Sequence, residues 1–238
     1  MIERPVAVIT GASRGIGKAI ALELARTGYQ LVLISKSESL LIDLSNSISI
    51  MPGCTTPVYF AADITNYEKV EKCIEKTIVD FGRINVLVNS AGIYYKGSSS
   101  LSLSDFRKLV ETNLIAQFSL MNQVIPIMKK QQSGYIINIA SRAGKTGLPL
   151  EGGYSASKFG LVGLSEALYR ELSAFGIYVT AVCPGWVETD MVFEAGTQLK
   201  AGEMIETSDV AKTVSWLLSL SENCRIKEII IEPSKNIL

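Results

Sequence analysis

In the stretch GGYSASKFG, Tyr154 and Lys158 stand four residues apart. On a helix, positions i and i+4 share a face. A free tyrosine phenol titrates at about 10, a poor match to proton transfer near neutrality. An adjacent ammonium favours the phenolate and should lower that value. The pair can therefore act as a general acid/base without histidine. That matters here because the chain contains no histidine at all. Ser-His-Asp triads, Cys-His dyads and histidine-bearing zinc sites are excluded. Any proton transfer must use Tyr, Lys, Asp, Glu, Cys or water.

A second chemical feature is the run TGASRGIGKA, Thr10 to Ala19. Closely spaced glycines let backbone N–H groups approach a phosphate, and a helix N-terminus adds partial positive charge. Gly17-Lys18 invites comparison with the triphosphate loop G-x-x-x-x-G-K-[ST]. Ala12 replaces its first glycine, and Ala19 replaces its magnesium-binding hydroxyl. The dinucleotide pattern G-x-G-x-x-G does not fit either, since the glycines are Gly11, Gly15 and Gly17. By itself the loop also suits a tight turn with no ligand. The end of the second apolar run, LVLISKSES, helps choose. An acid near that position would serve the ribose hydroxyl of NAD, and a cation would serve the 2′-phosphate of NADP. Here Ser35 and Lys36 lie at the tip, with Arg14 in the loop, and the first acid, Glu38, comes later. This favours NADP(H).

These residues need a scaffold. Seven apolar, β-branched runs alternate with amphipathic stretches. The runs are Val6–Thr10, Leu31–Ser35, Val58–Ala62, Ile84–Asn89, Tyr135–Ser141, Ile177–Cys183 and Glu228–Glu232. Continuous rather than alternating apolar runs suit strands buried on both faces. Helices are expected over Ile16–Gly28, from an Asn66 N-cap to Gly82, over Ser104–Lys130 and over Ser155–Phe175. Seven strands with six helices predict a single-domain, doubly wound α/β Rossmann fold, its sheet mainly parallel with helices on both faces. One domain is expected over 1–238. The stretch 184–207 lacks periodicity, and 188–206 is expected to be a substrate lid. The glycine loop, Asn89 to Gly92, Ser141 and Tyr154 then fall on one edge of the sheet.

The 47% apolar share supplies a full core, and 23 basic against 23 acidic residues give no bulk electrostatic case for nucleic acid or membrane surfaces. The longest apolar runs fall short of the ~18 residues of a membrane span. The apolar run of MIERPVAVIT is too short for a signal peptide. Cys54, Cys73, Cys183 and Cys224 form no CxxC, so no metal site is expected, and scattered thiols suit a reducing, cytoplasmic setting.

An ordered set of motifs then stands out: TGASRGIG, DIT at Asp63–Thr65, NSAG at Asn89–Gly92, ETN at Glu111–Asn113, INIAS ending in Ser141, YSASK, and PGWVETDM at Pro184–Met191. Together they resemble the short, single-domain, NADP-preferring branch of the short-chain dehydrogenase/reductase family over nearly the whole chain. The resemblance implies Gly11, Ser13, Arg14, Gly15, Ile16 and Gly17 along the cofactor phosphates. It implies Asp63 and Ile64 at the adenine, and Asn89, Ala91 and Gly92 along the cofactor. Pro184, Gly185, Val187 and Thr189 would hold the nicotinamide. Tyr154 would be the acid/base, Lys158 would lower its pKa and bond the ribose, Ser141 would bond the substrate oxygen, and Asn113 would hold a relay water. The reaction would interconvert a small-molecule carbonyl and a secondary alcohol.

Relatives in fatty-acid synthesis, the 3-oxoacyl-acyl-carrier-protein reductases, typically end in a Gly-Gly pair. This chain has no glycine after Gly202. That ending resembles family members acting on assorted small carbonyls. Lys129, Lys130 and Arg170 could greet an acidic carrier protein, or form an ordinary solvated helix end. A redox sensor that binds NADPH without turnover is a third reading, though it would need none of the proton machinery. The long helices 104–130 and 155–175 resemble those that pair between subunits, which implies a homo-tetramer or homo-dimer.

Overall fold

A computed structural model describes residues 4–235. Of the terminal stretches read above, Met1–Glu3 and Asn236–Leu238 lie outside the described residues. The chain opens with β1 (Val6–Thr10), α1 (Gly15–Arg26), β2 (Gln30–Ser35), α2 (Glu38–Ser49), β3 (Val58–Ala61), α3 (Tyr67–Phe81) and β4 (Val86–Asn89). It continues with α4 (Leu103–Val110), a π-turn (Glu111–Ile115), α5 (Ala116–Gln131), β5 (Gly134–Ile139), α6 (Gly152–Leu172), β6 (Ile177–Pro184), α7 (Asp190–Ala195), α8 (Thr207–Ser219) and β7 (Glu228–Ile231). The seven strands lie in the order β3-β2-β1-β4-β5-β6-β7, and every paired strand is parallel. This is the doubly wound fold read from the sequence.

The continuous apolar strands follow from burial on both faces. In β1, Ala7 and Ile9 join a core with Ile20 and Leu24 of α1, Leu41 and Leu44 of α2, and Val210 and Val214 of α8. Val6 and Val8 face the other way, onto Val70 and Ile74 of α3, Leu120 and Val124 of α5, and Leu168 of α6. Each such Leu, Ile or Val removed from water contributes about 1.5–3 kcal/mol. Strand order reverses between β1 and β4. The carboxyl ends of the strands at such a switch point frame a crevice.

Local chemistry sets the helix ends. The Asn66 side chain accepts from Lys69 N–H at 3.1 Å, and Gly82 closes α3 in the left-handed region at φ +70°, as the sequence predicts. Three expectations need correction. The helix expected over 104–130 is not uniform, because the π-turn at Glu111–Ile115 widens it where Asn113 turns inward. The fifth strand stops at Ile139 rather than at Ser141, since the Ser141 hydroxyl accepts from Ala143 N–H at 3.0 Å and starts a tight turn. Eight α-helices rather than six occur among the described residues, because α4 and α5 divide at the π-turn and the aperiodic 184–207 stretch contains α7.

Candidate active site

The loop after β1 is built by close backbone approach. A Cβ on Gly17 would lie 2.3 Å from the Gly11 carbonyl oxygen, and one on Gly11 would lie 2.8 Å from Ala91 Cα. Only glycine lets the loop, α1 and the β4 end meet this closely. Thr10 Oγ1 accepts from Ser90 N–H at 3.1 Å and Ala91 N–H at 3.2 Å, tying the two strand ends together. The first turn of α1 has no acidic residue, and its N-cap Arg14 gives it no side-chain acceptor. The leading N–H donors of a helix have no intrahelical partner, so this end suits an anion.

The predicted 2′-phosphate residues sit at the same mouth, with partners the sequence did not reveal. Arg14 lies 3.5 Å from Asp190 of α7. Lys36 lies 2.7 Å from Asp63. Burial works to raise the Asp63 carboxyl, but hydrogen bonds from Lys36 and Thr65 outweigh it and hold the group below its usual value. Ser35 turns inward, its hydroxyl 2.7 Å from that of Ser13. Ile16 is half-buried against the α1-side core, Ile64 is buried in the opposite core, and Lys18 is exposed.

At the β4 and β5 ends the polar groups are buried and paired. Asn89 Nδ2 donates to Asn138 Oδ1 at 2.8 Å, and Asn138 Nδ2 donates to Ser165 Oγ at 2.8 Å. The Asn89 Oδ1 atom is buried with no hydrogen-bond partner. Asn113 is fully buried. Its Oδ1 accepts from Ile93 N–H at 2.9 Å, and its Nδ2 donates to Ile93 O at 3.0 Å and Ser157 Oγ at 3.1 Å. A Cβ on Gly92 would lie 3.3 Å from Asn113 Oδ1 and 3.8 Å from Lys158 Nζ. Asn113, Gly92 and Lys158 are thus neighbours, as their separate motifs require.

Lys158 is buried, and its Nζ donates to the Ile139 carbonyl at 2.9 Å. Burial pulls its pKa down to about 8. Its ammonium lies 5.7 Å from the centre of the Tyr154 ring. Ser141 lies near the Tyr154 phenol and lowers its pKa, and the Tyr94 ring meets the Tyr154 ring edge-on at 5.3 Å. The expectation that Lys158 depresses the phenol is not met in this arrangement. Burial pushes Tyr154 up to about 12, Ser141 opposes that, and Glu151 and Tyr94 add to it. Desolvation disfavours the phenolate, while the ammonium that would favour it is spent on a backbone carbonyl.

Tyr154 and Ser141 line a pocket of about 60 Å³ with Tyr94, Arg142, Glu151 and Trp186, and α7 covers it through Met191, Val192 and Ala195. Gly185 lies on its wall. Val187 is buried and bridges to Ile205, and Thr189 Oγ1 donates to the Val187 carbonyl at 3.2 Å. Thr189 meets the glycine loop, since a Cβ on Gly15 would lie 3.3 Å from its Cγ2. Pro184 is buried at the end of β6. Sequence reading missed Thr10, Tyr94, Arg142 and Glu151. Thr10 heads the TGASRGIG motif and Tyr94 follows NSAG, whereas no local pattern marks Arg142 or Glu151 as buried.

The short chain dehydrogenase family model matches residues 5–200. A 3-oxoacyl-[acyl-carrier-protein] reductase of Synechocystis sp. is 40% identical over 187 residues, 78% of this chain and 75% of that protein. The crystal structure of a beta-ketoacyl-[ACP] reductase from Bacteroides thetaiotaomicron is 43% identical, with TM-score 0.86 and 98% of each chain covered. The alcohol dehydrogenase of the archaeon Thermococcus sibiricus, solved with 5-hydroxy-NADP, is 29% identical with TM-score 0.88 and 98% of each chain covered.

Proposed function

The chain belongs to the short-chain dehydrogenase/reductase family of oxidoreductases, and from that premise we propose that it interconverts a small carbonyl compound and a secondary alcohol with NADP(H). The observation that carries this reading is that Ser141 and Tyr154 line one pocket wall, backed by the buried Lys158 ammonium. The uncapped α1 end, the exposed Arg14 and Lys36, and a relative solved with an NADP derivative support the cofactor.

Gly11, Ser13, Arg14, Gly15, Ile16 and Gly17 would hold the phosphates. Lys36 and Arg14, beside Ser35, would take the 2′-phosphate, which must compete with Asp63 for Lys36. Asp63 and Ile64 would border the adenine, and Asn89, Ala91 and Gly92 would line the cofactor. Pro184, Gly185, Val187 and Thr189 would border the nicotinamide. When bound, the cofactor supplies the hydride. In reduction, Tyr154 gives its proton to the developing alkoxide, and Ser141 donates a hydrogen bond to the same oxygen. A phenol held at about 12 is protonated at neutral pH, which suits it as the acid. Lys158, held near 8, can return a proton from solvent. Asn113 has committed its side-chain amide to Ile93 and Ser157, so a relay at this residue must use its main chain. The segment 188–206, containing α7, would serve as the lid within one domain.

A second reading, 3-oxoacyl-[acyl-carrier-protein] reductase, is favoured by the 40–43% identical relatives. Against it, Lys129 pairs with Glu171 and Arg170 with Glu166, which reduces the charge offered to an acidic carrier. Exposed Phe106, Ile115, Phe118 and Phe159 on α4 to α6 support a homo-oligomer, dimer or tetramer. Four free cysteines support a cytoplasmic setting, and among the described residues no helix is long and apolar enough to cross a membrane.

The test is NADPH oxidation with diketones, aldehydes and 3-oxoacyl thioesters, repeated on Tyr154→Phe. Turnover should fall by about 10²- to 10⁴-fold with NADPH binding retained. Near-normal turnover in that variant would overturn the assignment.

A further inference from the structure

The pocket beside Tyr154 contains two charged wall residues, Arg142 and Glu151, each only 9% exposed. They differ in one respect. Arg142 Nη1 is satisfied by Glu232 Oε2 at 3.2 Å. Among the described residues no hydrogen bond or ion pair reaches the Glu151 carboxylate. Its charged neighbours Arg142 and Lys96 attract it only from a distance, and burial holds its pKa above the usual carboxylate value.

A structural role as helix cap does not account for Glu151. It occupies the N-cap position of α6 without making a side-chain cap, and the Gly152 N–H is already taken by Ser98 Oγ at 2.8 Å. The backbone holds Glu151 here at a cost. Leu150, just before it, adopts φ +63°, a left-handed conformation that non-glycine residues rarely take. The carboxylate oxygens are not sealed from the pocket, so a ligand donor can reach a partly desolvated acceptor that has no protein partner. The group lies close enough to Tyr154 and Tyr94 to raise the pKa of both phenols.

We propose that Glu151 is a specificity residue that accepts a hydrogen bond from a hydroxyl or amino group carried next to the reacting carbonyl. The substrate class is therefore a hydroxy- or amino-ketone, or the corresponding diol or amino alcohol in the reverse direction. This deepens the carbonyl–alcohol reading above and rests on it. A 3-oxoacyl thioester presents only oxygen acceptors beside its 3-oxo group, so it would leave Glu151 unpaired and facing other acceptors. Glu151 would thus select against that class, although relatives 40–43% identical to this chain are 3-oxoacyl-[acyl-carrier-protein] reductases.

The test compares 1-hydroxy-2-butanone with 3-pentanone, which replaces the hydroxyl by a methyl, and adds acetoacetyl-N-acetylcysteamine. The intact protein should prefer the hydroxyketone in kcat/KM by about 10- to 100-fold, the worth of one hydrogen bond to a charged group. Glu151→Leu should bring that ratio toward one and raise the relative rate on the thioester. Glu151→Gln, which can still accept, should keep part of the preference. No preference in the intact protein, or a ratio unchanged in Glu151→Leu, would overturn the proposal. Calorimetric titration of both ketones into protein loaded with NADP+ needs no turnover. Preferential binding without turnover of any carbonyl would sink the reductase reading and uphold the role of Glu151. Turnover with equal binding of the two ketones would sink the role of Glu151 alone.

Discussion

The turn after β1 and the turn between β5 and α6 open onto the same edge of the sheet, yet they hold their charges in opposite ways. Around the first, the cations are exposed. Arg14 and Asp190 are 68% and 72% exposed, and Lys36 is 64% exposed against Asp63. Around the second, Lys158 is 4% exposed, and Arg142 and Glu151 are 9% exposed. Exposed pairs in water are worth about 0–1 kcal/mol and are easily exchanged for another partner. Buried groups cannot be exchanged without a large desolvation cost, and their pKa values move with it. The first turn is thus suited to recognising a charged ligand that arrives and leaves. The second is suited to holding a proton at a set energy.

Changes at the second turn should therefore have the larger effects. Lys158→Met should lower kcat by on the order of 10²-fold or more, while a thermal melt checks that the fold survives. Its pH profile is more telling. Below about 8 Lys158 is charged and cannot take the proton that leaves through Tyr154, and above about 8 it is neutral and can. Tyr154, held up to about 12, is protonated throughout the neutral range. Alcohol oxidation should thus rise with pH up to about 8 and flatten beyond it, and Lys158→Met should remove the bend. A bend that survives in the variant would detach Lys158 from the proton path.

The exposed turn should respond less. Lys36→Ser should weaken NADPH binding by about tenfold, the loss of one charge-assisted hydrogen bond, and leave NADH binding nearly unchanged. Equal losses for both cofactors in fluorescence titrations would remove Lys36 from 2′-phosphate recognition. Smallest of all, Asp190→Asn should change cofactor affinity less than about fivefold, as an exposed ion pair does. That change should vanish as salt is raised. A larger, salt-insensitive loss would mean that Arg14 and Asp190 act as a buried latch rather than as an exposed, exchangeable pair.

Much of this arrangement is legible in the sequence. The seven apolar runs mark the strands because a strand covered on both faces needs apolar side chains at every position. Asn66 and Gly82 mark their helix ends because each solves a local hydrogen-bonding or backbone problem. Tyr154 and Lys158 were found by their spacing and Ser141 by its place at a strand end, whereas Asn113 came only from the family resemblance. The π-turn at Glu111–Ile115 escaped notice because its cause is tertiary, the inward pull of Asn113 onto Ile93 and Ser157. The early end of β5 was missed because one side-chain bond, Ser141 to Ala143 N–H, decides it.

The sequence by itself determined the fold class, the ring of small and polar residues at the strand ends, and a proton chemistry without histidine. Local pattern and residue type carry that information. Tertiary structure alone decided the protonation energies and the pairings. Burial, which depends on the whole fold, raises Tyr154 and lowers Lys158. The fold also sets Lys36 beside Asp63 and leaves the Glu151 carboxylate in the pocket wall without a donor.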